Sequence, residues 1–284
     1  MKKTCILLLL LLAVMPADYA QTPEDSVKIV TANWSPRKVK KGVVYKHAPF
    51  KYLYGVAQNV NILEVTPGKK HNRVGLIVNE PQRKTSESAN SVDAVGAING
   101  SYYNMKNGKS VCFLKIGPEV IDSTTHFEFG HRVTGAVRLQ GGKLALIPWN
   151  KSTEKGYSDK QDIVLASGPL MLKDGKECDF SVCDSAFIYT RHPRSAIGIT
   201  NQGRILFVTV DGRFPNQAVG MSIPELTYLM KLLGCTTALN LDGGGSTTLW
   251  ADLPEGTGVL NMPYDNKKFD HAGERKVANV LYVK

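Results

Sequence analysis

An α+β fold, with mixed, largely antiparallel sheets and few helices, is what this 284-residue sequence predicts. Short apolar or alternating runs recur along the chain, and turn signals such as PGKK, QGGK, KDGK and NQGR separate them. Only one strong helical pattern stands out. Helices that do not alternate with the strands disfavour a fully parallel, doubly wound sheet.

In chain order, the runs predict strands at 27–30, 52–65, 74–78, 92–98, 133–139, 143–147, 163–166, 195–199, 205–210, 237–241 and 277–283. The strong helix is SIPELTYLMKLLG. Ser222 and Glu225 form a capping box, Ile223, Leu226, Met230 and Leu233 share one face, and Gly234 stops it. A weaker helix is predicted over 85–91, again feeding an apolar strand.

The chain opens with MKKTCILLLLLLAVMPADYAQ: two lysines, an apolar run from Ile6 to Met15, then Pro16 and the small Ala20. This is the layout of a secretory signal, with cleavage expected after Ala20, and the run is short for a permanent membrane anchor. Cys5 precedes the run and so does not read as a lipid acceptor. The expected organisation is a signal peptide over 1–20, an N-terminal β segment over 21–75 and one large domain over 76–284. A periplasmic or secreted location follows.

Composition is that of a globular protein, 43% hydrophobic and 21% charged. The formal net charge of +10 permits anionic partners, but the basic residues are scattered, with small clusters at Lys38, Lys40, Lys41 and at Lys69, Lys70. Nucleic acid is not expected, since aromatic and basic residues do not interleave along a recognition strand. Cys112, Cys178, Cys183 and Cys235 permit disulfides in an oxidising compartment, and Cys178 with Cys183 would close a short loop. They lack the paired spacing of a zinc site.

The most unusual stretch is LNLDGGGSTTLW, 239–250. A simple turn needs one or two glycines, so three after an aspartate mark a site or a very close approach of the backbone. A nucleotide-binding loop is excluded, because no lysine follows the glycines and no helix begins there. A Ser or Thr nucleophile would need a base, and no histidine has diagnostic spacing.

Three further stretches also place polar residues at an apolar strand's end. AINGSYYN offers Asn99 and Gly100, RHPRSAIGIT offers Arg191, His192 and Arg194, and LFVTVDGRFP offers Asp211, Gly212 and Arg213. Asp-Gly at a strand end is also an ordinary hairpin turn, so Asp211 alone reads either way. If these strands are neighbours, Asn99, Arg194, Asp211, Arg213 and Asp242 converge on one rim. Paired carboxylates suit cleavage at a sugar anomeric carbon, and guanidinium groups hold phosphate by forked hydrogen bonds.

AINGSYYN, RHPRSAIGIT, TVDGR, NLDGGGSTT and the closing ERKVANVLYV together resemble the phosphodiester glycosidase family, over roughly two-thirds of the chain from about Asn99 onward. The resemblance implies hydrolysis of a sugar joined through its anomeric oxygen to phosphate. It implies Asp242 and Asp211 as catalytic carboxylates, with Asn99, Gly100, Arg194, Arg213, Asn240, Gly243, Gly244, Gly245, Ser246 and Thr247 binding substrate. Ser101 stands where the family often has a second glycine. On this reading Arg194 and Arg213 neutralise the leaving phosphate, Asp242 acts as nucleophile or as base for water, and glycine N–H groups point at the sugar oxygens. A phosphorylated carbohydrate or cell-surface glycan is the expected partner. No cofactor is expected, although a divalent metal has a place in one rival, a phosphodiesterase with metal on Asp211 and Asp242. The second rival is a non-catalytic carbohydrate-binding protein using Tyr102, Tyr103 and Trp250 as stacking platforms.

Overall fold

The computed structural model describes residues 21–68, 71–253 and 258–284, so the leader expected over 1–20 and Lys69 and Lys70 lie outside the described residues. Three sheets make up the fold, and every pairing among their described strands is antiparallel. The largest has eight strands in the spatial order Arg37–Lys40, Val43–Leu53, Val56–Val65, Ile205–Val210, Arg194–Thr200, Cys235–Asn240, Leu170–Lys173 and Lys176–Glu177. Leu249–Ala251, Gly96–Asn99, Lys276–Val283 and Val74–Lys84 form a four-stranded sheet. A five-stranded sheet consists of Glu119–Asp122, Leu114–Ile116, Ile163–Ser167, Gly135–Gln140 and Lys143–Pro148.

The eight-stranded sheet is covered on both faces, which explains why its central strands read as continuous apolar runs instead of alternating ones. Leu63, Ile197, Phe207 and Leu239 join residues of the other two sheets, such as Ile98, Leu281, Val137 and Leu146, in one core. Ile62, Ala196, Val208 and Ala238 point the other way, against Ile223, Leu226, Leu229 and Met230 of helix Ile223–Leu232. That helix starts on the expected capping box, with Ser222 Oγ accepting from Glu225 N and Glu225 accepting from Ser222 N at 2.8 Å.

Two local expectations need correction. The run at 27–30 is the end of helix Pro23–Val30, not a strand. Thr22 and Asp25 form a capping box with Pro23 in the first turn, and these start signals outweigh a short β-branched run. The stretch 52–65 is not one strand either: the chain reverses at Tyr54 (φ 55°) and Gly55 (φ 78°), joining Val43–Leu53 to Val56–Val65 as a hairpin. Short helices His126–His131, Lys151–Lys155 and Ser185–Tyr189, capped by Thr125, Asn150 and Asp184, are too brief to show a period in the sequence. Much of the stretch expected as an N-terminal segment is built into the central sheet, since Val56–Val65 pairs with Ile205–Val210 along its length. Cys112, Cys178, Cys183 and Cys235 are free, so no disulfide closes the Cys178–Cys183 loop.

Candidate functional site

The stretch from Asp242 to Thr248 is the crossing from one sheet to another. Strand Cys235–Asn240 lies inside the eight-stranded sheet and Leu249–Ala251 at the edge of the four-stranded one, with a 3₁₀ turn, Gly244–Ser246, between them. Asn99, fully buried at the end of Gly96–Asn99, fastens this crossing. Its Nδ2 donates to the Asp242 carbonyl at 2.7 Å, and its Oδ1 accepts from Ser195 Oγ at 2.7 Å and Thr248 N at 3.0 Å. Asp242 N donates to the Gly100 carbonyl at 2.9 Å. Asn240 is also buried, and its Nδ2 donates to Tyr102 Oη at 2.8 Å and to the Gly168 carbonyl at 2.9 Å. Asn99 and Gly100 therefore hold the Asp242 backbone in place, and Asn240 fastens the strand end before it, all by contacts within the protein.

The glycines are explained by close packing of the protein on itself. A Cβ on Gly243 would lie 2.6 Å from the Pro193 carbonyl oxygen, which already accepts from Gly244 N at 2.8 Å. Gly244 has φ +60°, and its missing Cβ would lie 3.1 Å from Arg213 Nη2. A Cβ on Gly245 would strike Arg275 Nη2 and approach Asp265 Oδ1 at 2.9 Å. The expectation that the loop's N–H groups point at a ligand is thus corrected for Gly244, whose N–H is spent on Pro193. Two guanidinium groups instead stand against consecutive glycines.

Asp242 is partly exposed at this crossing. Burial pushes its carboxyl up to about 6, against the Ser246 hydroxyl, the Arg132 and Arg275 guanidiniums and the Gly243 amide, all of which favour the charged form. Arg132 forms a two-point ion pair with Glu128, at 2.7 and 2.9 Å, and its Cζ lies 3.6 Å from the centre of the Tyr102 ring. Thr247 is buried with its hydroxyl unpartnered among the described residues, while its carbonyl accepts from Asn261 Nδ2 at 3.0 Å.

Arg213 is exposed, has φ +68°, and stacks 5.3 Å from the centre of the Tyr264 ring. A left-handed conformation costs a non-glycine residue free energy, so the fold holds this side chain in place against a local penalty. Arg194 is placed differently, at 2% exposure. Its Nε donates to the Met221 carbonyl at 2.9 Å, and its Nη2 donates to the carbonyls of Phe187 and Thr190 at 2.9 and 2.8 Å. Burial lowers Arg194 to about 10. His192 is lowered to about 4 by burial and by the Arg194 and Arg213 charges, so it is neutral at pH 7.

Asp211 does not share the Asp242 environment. It is fully buried and accepts from Asn59 Nδ2 at 2.8 Å, Asn61 Nδ2 at 3.3 Å, Asn261 Nδ2 at 2.9 Å and Met262 N at 2.9 Å. Burial raises its carboxyl, and those four donors oppose the rise. Both oxygens are thus occupied by the protein, a poor fit to a shared metal on Asp211 and Asp242. Among the described residues, no group of three or more His, Cys, Asp or Glu side chains could hold a metal ion. The aromatic platforms of the binding-protein alternative also fail sterically at two positions: Tyr102 is 2% and Trp250 6% exposed. Tyr103 remains half-buried, with Oη on the Lys276 carbonyl at 2.9 Å.

Arg132 and Arg275 are the charged neighbours of Asp242 that the sequence does not single out. Arg275 stands within the closing motif, where it reads as one basic residue before a strand. Arg132 follows a six-residue helix that carries no periodic signal.

Comparison with known proteins supports the same stretch of chain. A family model described as Phosphodiester glycosidase matches residues 92–284. Human N-acetylglucosamine-1-phosphodiester alpha-N-acetylglucosaminidase is 23% identical over 224 residues, covering 69% of this chain and 39% of the human protein. The SPbeta prophage-derived uncharacterized protein YomE of Bacillus subtilis (strain 168) is 30% identical over 117 residues, covering 37% of this chain and 18% of YomE. The chain therefore spans well under half the length of these relatives. Among solved structures, the auto-inhibited catalytic domain of the zebrafish N-acetylglucosamine-1-phosphodiester alpha-N-acetylglucosaminidase has a TM-score of 0.65 at 16% identity, covering 84% of this chain and 81% of that one. A hypothetical protein from Synechocystis has a TM-score of 0.62 at 15% identity, covering 86% and 62%.

Proposed function

The chain belongs to the phosphodiester glycosidase family, and from that premise we propose that it hydrolyses a sugar 1-phosphodiester at the anomeric C–O bond, with Asp242 as the carboxylate facing the anomeric carbon. The observation that carries this reading is the setting of Asp242: a partly exposed, desolvated carboxyl raised to about 6, between guanidiniums, on a backbone fastened to two sheets. A carboxylate poised near neutrality suits general-base or nucleophilic work. The leaving group is a phosphate monoester with a second pKa near 6, so its departure needs charge neutralisation more than a proton. Arg213, exposed beside Gly244, supplies positive charge there. In the balanced reaction the water oxygen bonds to the anomeric carbon, the C–O bond electrons leave with the phosphate oxygen, and the water proton passes to Asp242 or to solvent.

Asp211 and Arg194 act in this scheme as buried positioning residues, Asp211 tying strand Val56–Val65 to Asn261 and Met262, and Arg194 tying its strand to the carbonyls of Phe187, Thr190 and Met221. The proposed setting is outside the cytoplasm, in keeping with the leader-like sequence over 1–20, and a phosphorylated carbohydrate or cell-surface glycan is the proposed partner. Among the described residues no helix is long and apolar enough to cross a membrane.

The test is turnover of a panel of sugar 1-phosphodiesters, with products identified by phosphorus and proton NMR. A free reducing sugar with an intact phosphomonoester is the expected outcome. A sugar 1-phosphate, with activity lost in chelator, would replace this reading with metal-assisted cleavage at phosphorus. kcat/KM should rise with pH through about 6 and then level, because the ionised form of Asp242 is the active one. A profile falling through the same pH would assign it the role of acid.

A further inference from the structure

Arg275 stands against Gly245 as Arg213 stands against Gly244, and one loop holds both guanidiniums. Tyr264 lies under Arg213, its ring centre 5.3 Å from Cζ. The next residue, Asp265, accepts from Arg275 Nε at 2.8 Å and also pairs with Nη2 through the same oxygen. The loop is anchored at both ends. Met262 N and Asn261 Nδ2 are fixed on Asp211, and the rings of Tyr264 and Phe269 pack on Phe214 at 5.2 and 5.1 Å between centroids.

Consecutive Cα atoms are about 3.8 Å apart, so the two guanidiniums lie over neighbouring residues of the glycine turn. Neither glycine could carry a side chain without moving its arginine. Arg275 Nη1 is turned toward Met105 Sδ at 3.8 Å, a weak acceptor that an anion would displace readily. Among the described residues no carboxylate pairs with Arg213.

We infer that Arg213 and Arg275 form a two-guanidinium clamp for the substrate's phosphate, and that Tyr264 and Asp265 are the positioning residues that set its spacing. The inference rests on the sugar 1-phosphodiester reading above, and it adds Arg275 as a phosphate ligand. Tyr264 offers Arg213 a ring face, which directs the planar guanidinium without consuming its N–H donors. Asp265 accepts from one edge of Arg275 and leaves the Nη1 edge for an anion.

The experiment measures inorganic phosphate binding by calorimetry, in parallel with turnover of a sugar 1-methylphosphodiester. Arg275→Ala and Tyr264→Ala should each weaken phosphate binding by about fivefold or more, as loss of a charge-assisted contact requires, with KM raised more than kcat is lowered. Tyr264→Phe keeps the ring and should restore the binding lost in Tyr264→Ala. Asp265→Ala should weaken phosphate binding too. Tighter binding in that variant would show Asp265 competing with phosphate, and would overturn its positioning role.

Arg275→Lys keeps the charge with less disturbance of packing, so it tests the clamp if the alanine variant does not fold. Binding weakened by about threefold or more is expected, because an ammonium cannot fork. Wild-type affinity in either Arg275 variant, or no saturable phosphate binding by the wild type, overturns the clamp. Phosphate binding that depends on both arginines without turnover of any diester would sink the glycosidase reading and leave the clamp standing.

Discussion

Asp242→Asn should abolish turnover and also make the protein more stable at neutral pH. The loss in kcat/KM should be about a thousandfold or more, since an amide neither attacks the anomeric carbon nor takes a proton from water. The gain in stability follows from linkage. The carboxyl has an ordinary value of 3.8 and is raised to about 6 in the folded protein. Between those values the native state binds more protons than the unfolded chain, so stability falls as pH rises through that window and stays reduced above it. A shift of that size corresponds to about 3 kcal/mol as a ceiling, and partial solvent access brings the expected gain to about 1–2 kcal/mol. Urea denaturation of both proteins at pH 7.5 and at pH 4 checks it, the difference being expected at the higher pH and nearly gone at the lower. A variant that loses activity but is less stable at pH 7.5 would show Asp242 to be held by favourable contacts instead of strained by burial.

Asp211→Ala has the largest expected effect on folding. Its carboxylate joins Asn59 and Asn61 on strand Val56–Val65 to Asn261 and Met262 on the loop beyond strand Leu249–Ala251, and all four donors would lose this acceptor inside the protein, Asn261 alone keeping a second one in the Thr247 carbonyl. Each buried donor left without an acceptor costs about 1–3 kcal/mol, so the total lies far above a surface substitution. Asp211→Asn should cost less, because its carbonyl still accepts while its amide faces donors. Denaturation midpoints with unchanged slopes would confirm the size of the loss. An Asp211→Ala protein as stable as wild type but devoid of turnover would return Asp211 to the role of partner carboxylate at the anomeric carbon.

The two aspartates show how far local sequence reaches. VTVDG and LNLDG look alike: an apolar strand, an aspartate, a glycine. The side chains nonetheless meet opposite surroundings, because the partners of Asp211 come from positions as far away as 152 residues, and no spacing within the strand announces them. Arg194 and Arg213 are likewise equivalent as letters. One has its guanidinium spent on backbone carbonyls and the other stands exposed over Tyr264.

What the amino-acid sequence by itself determined was the sheet-rich α+β class, the capped helix at Ile223–Leu232, most strand positions, and Asp242 with its glycines as the most unusual point of the chain. These follow from short-range rules: side-chain period, capping chemistry and the backbone freedom of glycine. Only the tertiary structure decided which carboxylate is saturated and which is poised, which arginines lie beside Asp242, and what the three glycines make room for. Desolvation and hydrogen-bond partnership are properties of neighbours in space, and in an antiparallel fold of three sheets those neighbours are seldom close in sequence.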